Sequence, residues 1–151
     1  MKVRFRLNGD PVEVEARPDE NLLTVLRRGL GILGVRESCG IGACGACTVL
    51  VDGEQLSACL VLAPLVEGAE VTTAEGLGDD HPVVRGFVEA HAYQCGWCTP
   101  GMVVAAAALL AENPAPSDDE IRLGLAANLC RCGCYVKILD AVRRASAPVD
   151  S

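Results

Sequence analysis

Residues 38–59 read Ser38-Cys39-Gly40-Ile41-Gly42-Ala43-Cys44-Gly45-Ala46-Cys47-Thr48-Val49-Leu50-Val51-Asp52-Gly53-Glu54-Gln55-Leu56-Ser57-Ala58-Cys59. Cys39, Cys44 and Cys47 stand close together, with Gly40, Gly42 and Gly45 between them. Glycine lets a backbone take positive φ without a Cβ clash, so this loop can wrap closely around an object. Such a loop also turns main-chain N–H groups inward, toward anything carrying negative charge. Thr48–Val51 and Glu54–Ser57 then read as a hairpin about Asp52-Gly53, a turn pair that favours positive φ. Cys59 follows the hairpin directly, so a rigid element fixes its place.

The order C-x4-C-x2-C with a distant fourth cysteine is the plant-type ferredoxin spacing, which holds a [2Fe–2S] cluster through four thiolates. Zinc is the competing reading. Zinc motifs more often use paired C-x2-C spacings with few glycines between them, and the loop does not match that.

Upstream of the loop, Val3, Phe5 and Leu7 alternate with charged residues at the strand period of two. Asn8-Gly9-Asp10 is a turn signal, and Val12, Val14 and Ala16 repeat the alternation on a return strand. Leu22, Leu23, Leu26 and Leu30 recur at helical spacing, with Asp19 or Asn21 as cap and Gly29, Gly31 and Gly34 to end the helix. Glu70–Thr73 is one more short strand. Residues 1–75 therefore read as an α+β unit.

Residues 75–80, Glu-Gly-Leu-Gly-Asp-Asp, read as a polar linker, and beyond it no strand pattern occurs. Helices are expected over 82–93, 102–112, 117–127 and 136–145. The second is nearly all Ala, Val and Leu and reads as buried; Ser117 and Glu120 match a capping box on the third. Four helices in up-and-down order are expected for residues 81–151. Their cysteines fall at helix junctions: Cys95 and Cys98 as C-x2-C, then Cys130, Cys132 and Cys134 as C-x-C-x-C. Five cysteines compete for four places, and spacing alone leaves either Cys132 or Cys134 as the partner of Cys130.

The chain has 151 residues and a formal charge of −7, with two lysines, Lys2 and Lys137, and no basic run. This argues against nucleic acid and anionic membrane as partners. The longest apolar run is about half the ~20 residues a bilayer helix needs, so no membrane insertion is expected. Nine cysteines suggest a disulfide scaffold. The odd count, the metal-ligand spacings and an N-terminus without a signal-peptide core oppose it. A cytoplasmic location is expected. His81 and His91 read as helix-end or surface residues, since eight cysteines already fill two sites.

Together the stretches SCGIGACGACTVLVDG with Cys59, QCGWCTPGM and NLCRCGCY, in this order, resemble the small iron–sulfur subunit of the molybdenum hydroxylases, the xanthine oxidase and aldehyde oxidoreductase superfamily. The resemblance covers residues 2–146. It implies an N-terminal β-grasp ferredoxin-like domain (1–75), a linker (76–80) and a C-terminal four-helix bundle domain (81–151). It makes Cys39, Cys44, Cys47 and Cys59 ligands of an outer [2Fe–2S] cluster, and Cys95, Cys98, Cys130 and Cys132 ligands of an inner one. It also implies, as partner, a large molybdopterin-binding subunit, with Gln94 hydrogen-bonding the pterin, and a flavin (FAD) subunit or external acceptor receiving the electrons. Cys134 stands where the family usually has Thr or another small residue, and Trp97 where it more often has Phe or Tyr.

The sequence holds no nucleophile, acid–base pair or phosphate loop, so the chain reads as the redox subunit of an oxidoreductase rather than a complete catalyst. A free-standing two-cluster ferredoxin and a zinc or thiol redox sensor are the alternatives. Because the two ligand sets share no residue, the clusters are expected to assemble independently.

Overall fold

A computed structural model describes residues 1–146; the end of the expected second unit, 147–151, lies outside the described residues. The first 72 residues contain five strands: β1 (Lys2–Leu7), β2 (Asp10–Glu15), β3 (Thr48–Val51), β4 (Glu54–Ser57) and β5 (Glu70–Thr72). They form one mixed sheet in the order β2-β1-β5-β3-β4, with β1 and β5 parallel and the other pairs antiparallel. Both hairpins close on the expected pairs. Asn8 and Gly9, like Asp52 and Gly53, have positive φ throughout, the turn whose twist matches antiparallel strands.

Val3, Phe5 and Leu7 bury one face of β1, as their alternation requires. Against that face lies α1 (Leu22–Thr24), which Asn21 starts by accepting from the Thr24 N–H at 2.9 Å. From Val25 to Gly29 the coil widens to π-helical bonding, and Leu30 N–H reaches Val25 C=O. The helix expected over 22–30 is thus present, but loosened over its second half. A turn of 3₁₀ helix, Ala63–Val66, adds buried Ala63 and Val66 to this core.

Among the described residues after Thr73 every element is helical: α2 (Ala74–Leu77), α3 (Pro82–Glu89), α4 (Thr99–Glu112), α5 (Asp118–Gly124) and α6 (Tyr135–Ser146). The fold class is α+β, as expected. The stretch read as a polar linker contains α2, and it is tied down. The Glu75 carboxylate accepts from Gly34 N–H and from the Thr73 hydroxyl, both at 2.7 Å, while Leu77 packs against the helical core.

Two helices are shorter than their patterns suggest. In α3 the chain stops at Ala90 because His91 adopts φ 47°; His91 N–H then bonds Val88 C=O and Ala92 N–H bonds Phe87 C=O. That paired closure is the Schellman arrangement, here with His in the place glycine usually takes. At the other end His81 caps α3, its Nδ1 accepting from Val83 N–H at 3.2 Å. Helix α5 ends at Gly124, and its Ser117–Glu120 capping box is present.

Helix α4 is buried on all sides over Gly101–Ala108, because its first half lies between the other helices and β3. That burial explains why its sequence shows no polar stripe.

Candidate metal centres

Each cysteine group is assembled by a loop meeting a rigid element. In the first, residues 39–47 run in an irregular loop whose Gly40, Gly42 and Gly45 all have φ near +70°. Cys47 leads into β3, and Cys59 follows β4; both are buried. Their thiols associate two by two. Cys39 lies against Cys44, and Cys47 lies against Cys59 with Cys44 nearby. Two thiols per iron is the donor arrangement a [2Fe–2S] cluster takes.

The second group forms where α4, α6 and the turn before α6 meet. Cys98 is the residue from which α4 starts, with Pro100 in its first turn, where a missing N–H costs nothing. Cys95 pairs with Cys132, and Cys98 with Cys130. Cys134 sits beside Cys130 and Cys132, buried, and its main-chain N–H donates to Cys130 Sγ at 3.4 Å. The choice that spacing leaves open therefore has a geometric counterpart: Cys132 faces Cys95 across the site, and Cys134 backs Cys130.

The donor set fits thiolate chemistry. Main-chain N–H groups of Ile41, Ala46 and Trp97 point at the sulfurs of Cys39, Cys44 and Cys95 at 3.5, 3.5 and 3.4 Å. Such bonds favour the charged thiolate. The Ile41 N–H, then the Cys44 thiol, draw Cys39 down to about 6. The Trp97 N–H, helped by Cys132, likewise holds Cys95 below the ordinary thiol range. Burial does the opposite to the inner pair members, lifting Cys47 to about 11 and Cys98 to about 12. Each set thus joins a thiol drawn down by main-chain N–H groups, Cys39 or Cys95, to one whose ionisation burial opposes, Cys47 or Cys98, and a bound metal would favour the thiolate in both. Thr99, the residue after Cys98, has a buried hydroxyl without a protein partner, a donor left over for an acceptor the protein does not supply.

The two loops touch. Leu129 N–H donates to Cys44 C=O at 2.9 Å, and buried Asn128 donates from Nδ2 to Gly45 C=O at 3.0 Å and to the Thr48 hydroxyl at 3.1 Å. A cavity of about 390 Å³ lined by Cys44, Cys95, Cys98 and Cys130 lies along this junction. Sequence reasoning misses Asn128. Its one signal there is its place two residues before Cys130.

Family models match the whole of this layout. Residues 5–76 match a 2Fe-2S iron-sulfur cluster binding domain, and residues 73–143 match a second [2Fe-2S] binding domain. The chain is 48% identical to one of the nicotinate dehydrogenase subunits of Pseudomonas putida, over 95% of its own length and 94% of that protein. It belongs to the small iron–sulfur subunits of the molybdenum hydroxylases.

The same layout is similar to quinoline 2-oxidoreductase from Pseudomonas putida 86, with a TM-score of 0.92 and 40% identity over 97% of this chain and 92% of that one. It is also similar to the aldehyde oxidoreductase of Desulfovibrio desulfuricans ATCC 27774, with a TM-score of 0.92 and 41% identity. There it covers 96% of this chain but 17% of the other, so the same unit occurs within a much longer polypeptide. The chain carries two [2Fe–2S] clusters and is one subunit of an oxidoreductase. Among the described residues no helix is long and apolar enough to cross a membrane.

Proposed function

We propose that this chain passes single electrons from the molybdenum cofactor of a large molybdopterin-binding subunit to a flavin subunit or an external acceptor. The clusters supply the one-electron chemistry. Cys39, Cys44, Cys47 and Cys59 hold the outer cluster, and Cys95, Cys98, Cys130 and Cys132 the inner one. A β-grasp ferredoxin-like unit (1–75) and a four-helix bundle (from 81) carry them, in a cytoplasmic enzyme.

One observation carries this reading. The Leu129 N–H bonded to Cys44 C=O leaves a single hydrogen bond and a short run of covalent bonds between a ligand of one set and Cys130 of the other. Two such sets joined at their ligand loops suit the passage of electrons from one to the other. A free-standing two-cluster ferredoxin would share the junction. Against it stands the exposed apolar surface of the helical part: Leu123, Leu129 and Val136 are 77%, 55% and 81% exposed beside an apolar groove of about 410 Å³ between α4, α5 and α6. Such a surface suits one member of a complex better than a protein that works alone. Relatives of similar identity are named for nicotinate, quinoline and aldehyde substrates, so we assign substrate choice to parts of the enzyme outside this unit.

Iron and acid-labile sulfide analysis of the purified native complex tests both parts. Four of each per small chain is expected, with a large molybdopterin-bearing chain co-purifying. Two irons in fully loaded protein, or a small chain that always purifies alone, overturns the reading.

A further inference from the structure

Trp97, the chain's single tryptophan, stands between Cys95 and Cys98. The Arg36 guanidinium carbon lies 5.0 Å from the centre of its ring, within the range of a cation–π contact. Arg36 belongs to the other cysteine set. It comes three residues before Cys39, and its main-chain N–H donates to Ala46 C=O at 3.1 Å, between Cys44 and Cys47. One residue is therefore fastened by its backbone to the outer loop and by its side chain to the inner loop.

The charge it carries is not neutralised locally. Among the described residues none of the ion pairs involves Arg36, and its Nε is buried without a hydrogen-bond partner. A guanidinium in that state costs free energy unless something anionic nearby offsets it. Thiolate sets on either side of the stack are the anions at hand.

We propose that Arg36 is a positioning residue for the inner centre: stacked on Trp97, it holds an unneutralised positive charge between the two ligand loops and raises the one-electron reduction potential of the centre bound by Cys95, Cys98, Cys130 and Cys132. Reduction adds one electron and one negative charge with no proton taken up, so a fixed cation beside the site favours the reduced state. Net charge around a cluster is among the factors that set its potential. The planar guanidinium suits the ring face, and an ammonium in its place keeps the charge but fits the stack less well. The inference rests on the two-cluster reading above.

A unit charge ~10 Å away at an effective dielectric near 20 changes a one-electron equilibrium by roughly tenfold. The test is a redox titration of the holoenzyme followed by electron paramagnetic resonance, reading each centre separately. At a fixed potential, Arg36→Gln should lower the reduced-to-oxidised ratio of the inner centre about tenfold, a shift of about −59 mV for a one-electron couple. Arg36→Lys should recover part of it. Trp97→Leu should move the inner centre the same way by releasing the guanidinium, Trp97→Phe should move it less, and the double variant no further than Arg36→Gln alone. Should Arg36→Gln fail to keep four irons, Trp97→Leu reads the same shift. An inner midpoint unmoved in iron-complete Arg36→Gln or Trp97→Leu overturns the proposal. So does an equal shift of both centres by Arg36→Gln that Trp97→Leu does not reproduce. Failure of the two-cluster reading looks different: the wild-type protein itself would lack one of the two signals.

Discussion

Cys134 and Cys132 are separated by Gly133, which has φ 75° and open space around its α-carbon. That glycine reverses the chain so that Cys132 reaches toward Cys95, while Cys134 is carried back into the helical core beside Cys130. Cys134 is 5% exposed; its main-chain N–H donates to Cys130 Sγ and its thiol lies beside that sulfur. Any side chain of similar size preserves that N–H. Cys134→Ala should therefore keep four irons per chain, whereas Cys132→Ala should keep two and lose the inner centre's resonance signal. Iron analysis of the two variants decides it, and the reverse pattern would assign Cys134 as the ligand. Since the cavity left by removing one buried sulfur is small, Cys134→Ala should cost on the order of 1 kcal/mol of stability.

At the scale of elements, most of what forms is legible in the sequence. Both hairpins, the Asn21 cap, the Ser117 capping box and the last helix depend on short-range chemistry, and a short-range pattern suffices to read them. The helix boundaries that differ depend on something non-local or unusual. His91 ends α3 in a conformation that a histidine rarely announces, and α4 begins at Thr99, before its apolar run. The polar stretch 75–80 reads as a linker because one partner of Glu75, the Gly34 N–H, lies 41 positions away in the chain.

Gly101 is the clearest element whose role no local pattern could show. A Cβ there would strike the Gly45 carbonyl, so α4 passes directly over the outer cysteine loop. Helix propensity alone would gain about 1 kcal/mol on Gly101→Ala. Overpacking against main chain that cannot yield costs about 1–3 kcal/mol, and the second term should win. The variant should melt earlier than wild type and bind its outer iron less tightly, seen as faster loss of two of four irons to a chelator. A higher melting temperature would mean that the loop gives way.

Across the whole molecule one relation stays out of sight in the sequence. The two ligand sets share no residue, which suggests independent assembly. In the fold, Asn128, Leu129, Gly101 and Arg36 each bind one set's loop to the other's. Cluster identity is readable because it lies in spacing. How the clusters communicate is not, because it lies in contacts between residues 56 to 85 positions apart, from Gly45 and Gly101 to Cys44 and Leu129. Gln94 lies on the surface beside the inner set, directly before Cys95.

Gln94 is exposed, directly precedes exposed Cys95, and among the described residues has no hydrogen-bond partner within the chain for its side-chain amide. A helix-end glutamine serving its own backbone would be paired; this one is free to pair outward. Its amide offers two donors and a carbonyl acceptor, a match for the mixed donor and acceptor edge of a pterin. In the assembled enzyme the contact would be desolvated, so Gln94→Leu would leave the cofactor's group unpaired at a cost of ~1–3 kcal/mol. If that loss falls on the approach of cofactor to cluster, substrate-driven reduction of the clusters should slow roughly five- to hundredfold. Reduction by dithionite, which needs no pterin, should proceed at the wild-type rate, and iron content should stay at four per chain. Stopped-flow absorbance with both reductants separates the two routes. Equal slowing with both would point to damage at the cluster itself, and no slowing with substrate would remove Gln94 from the cofactor interface.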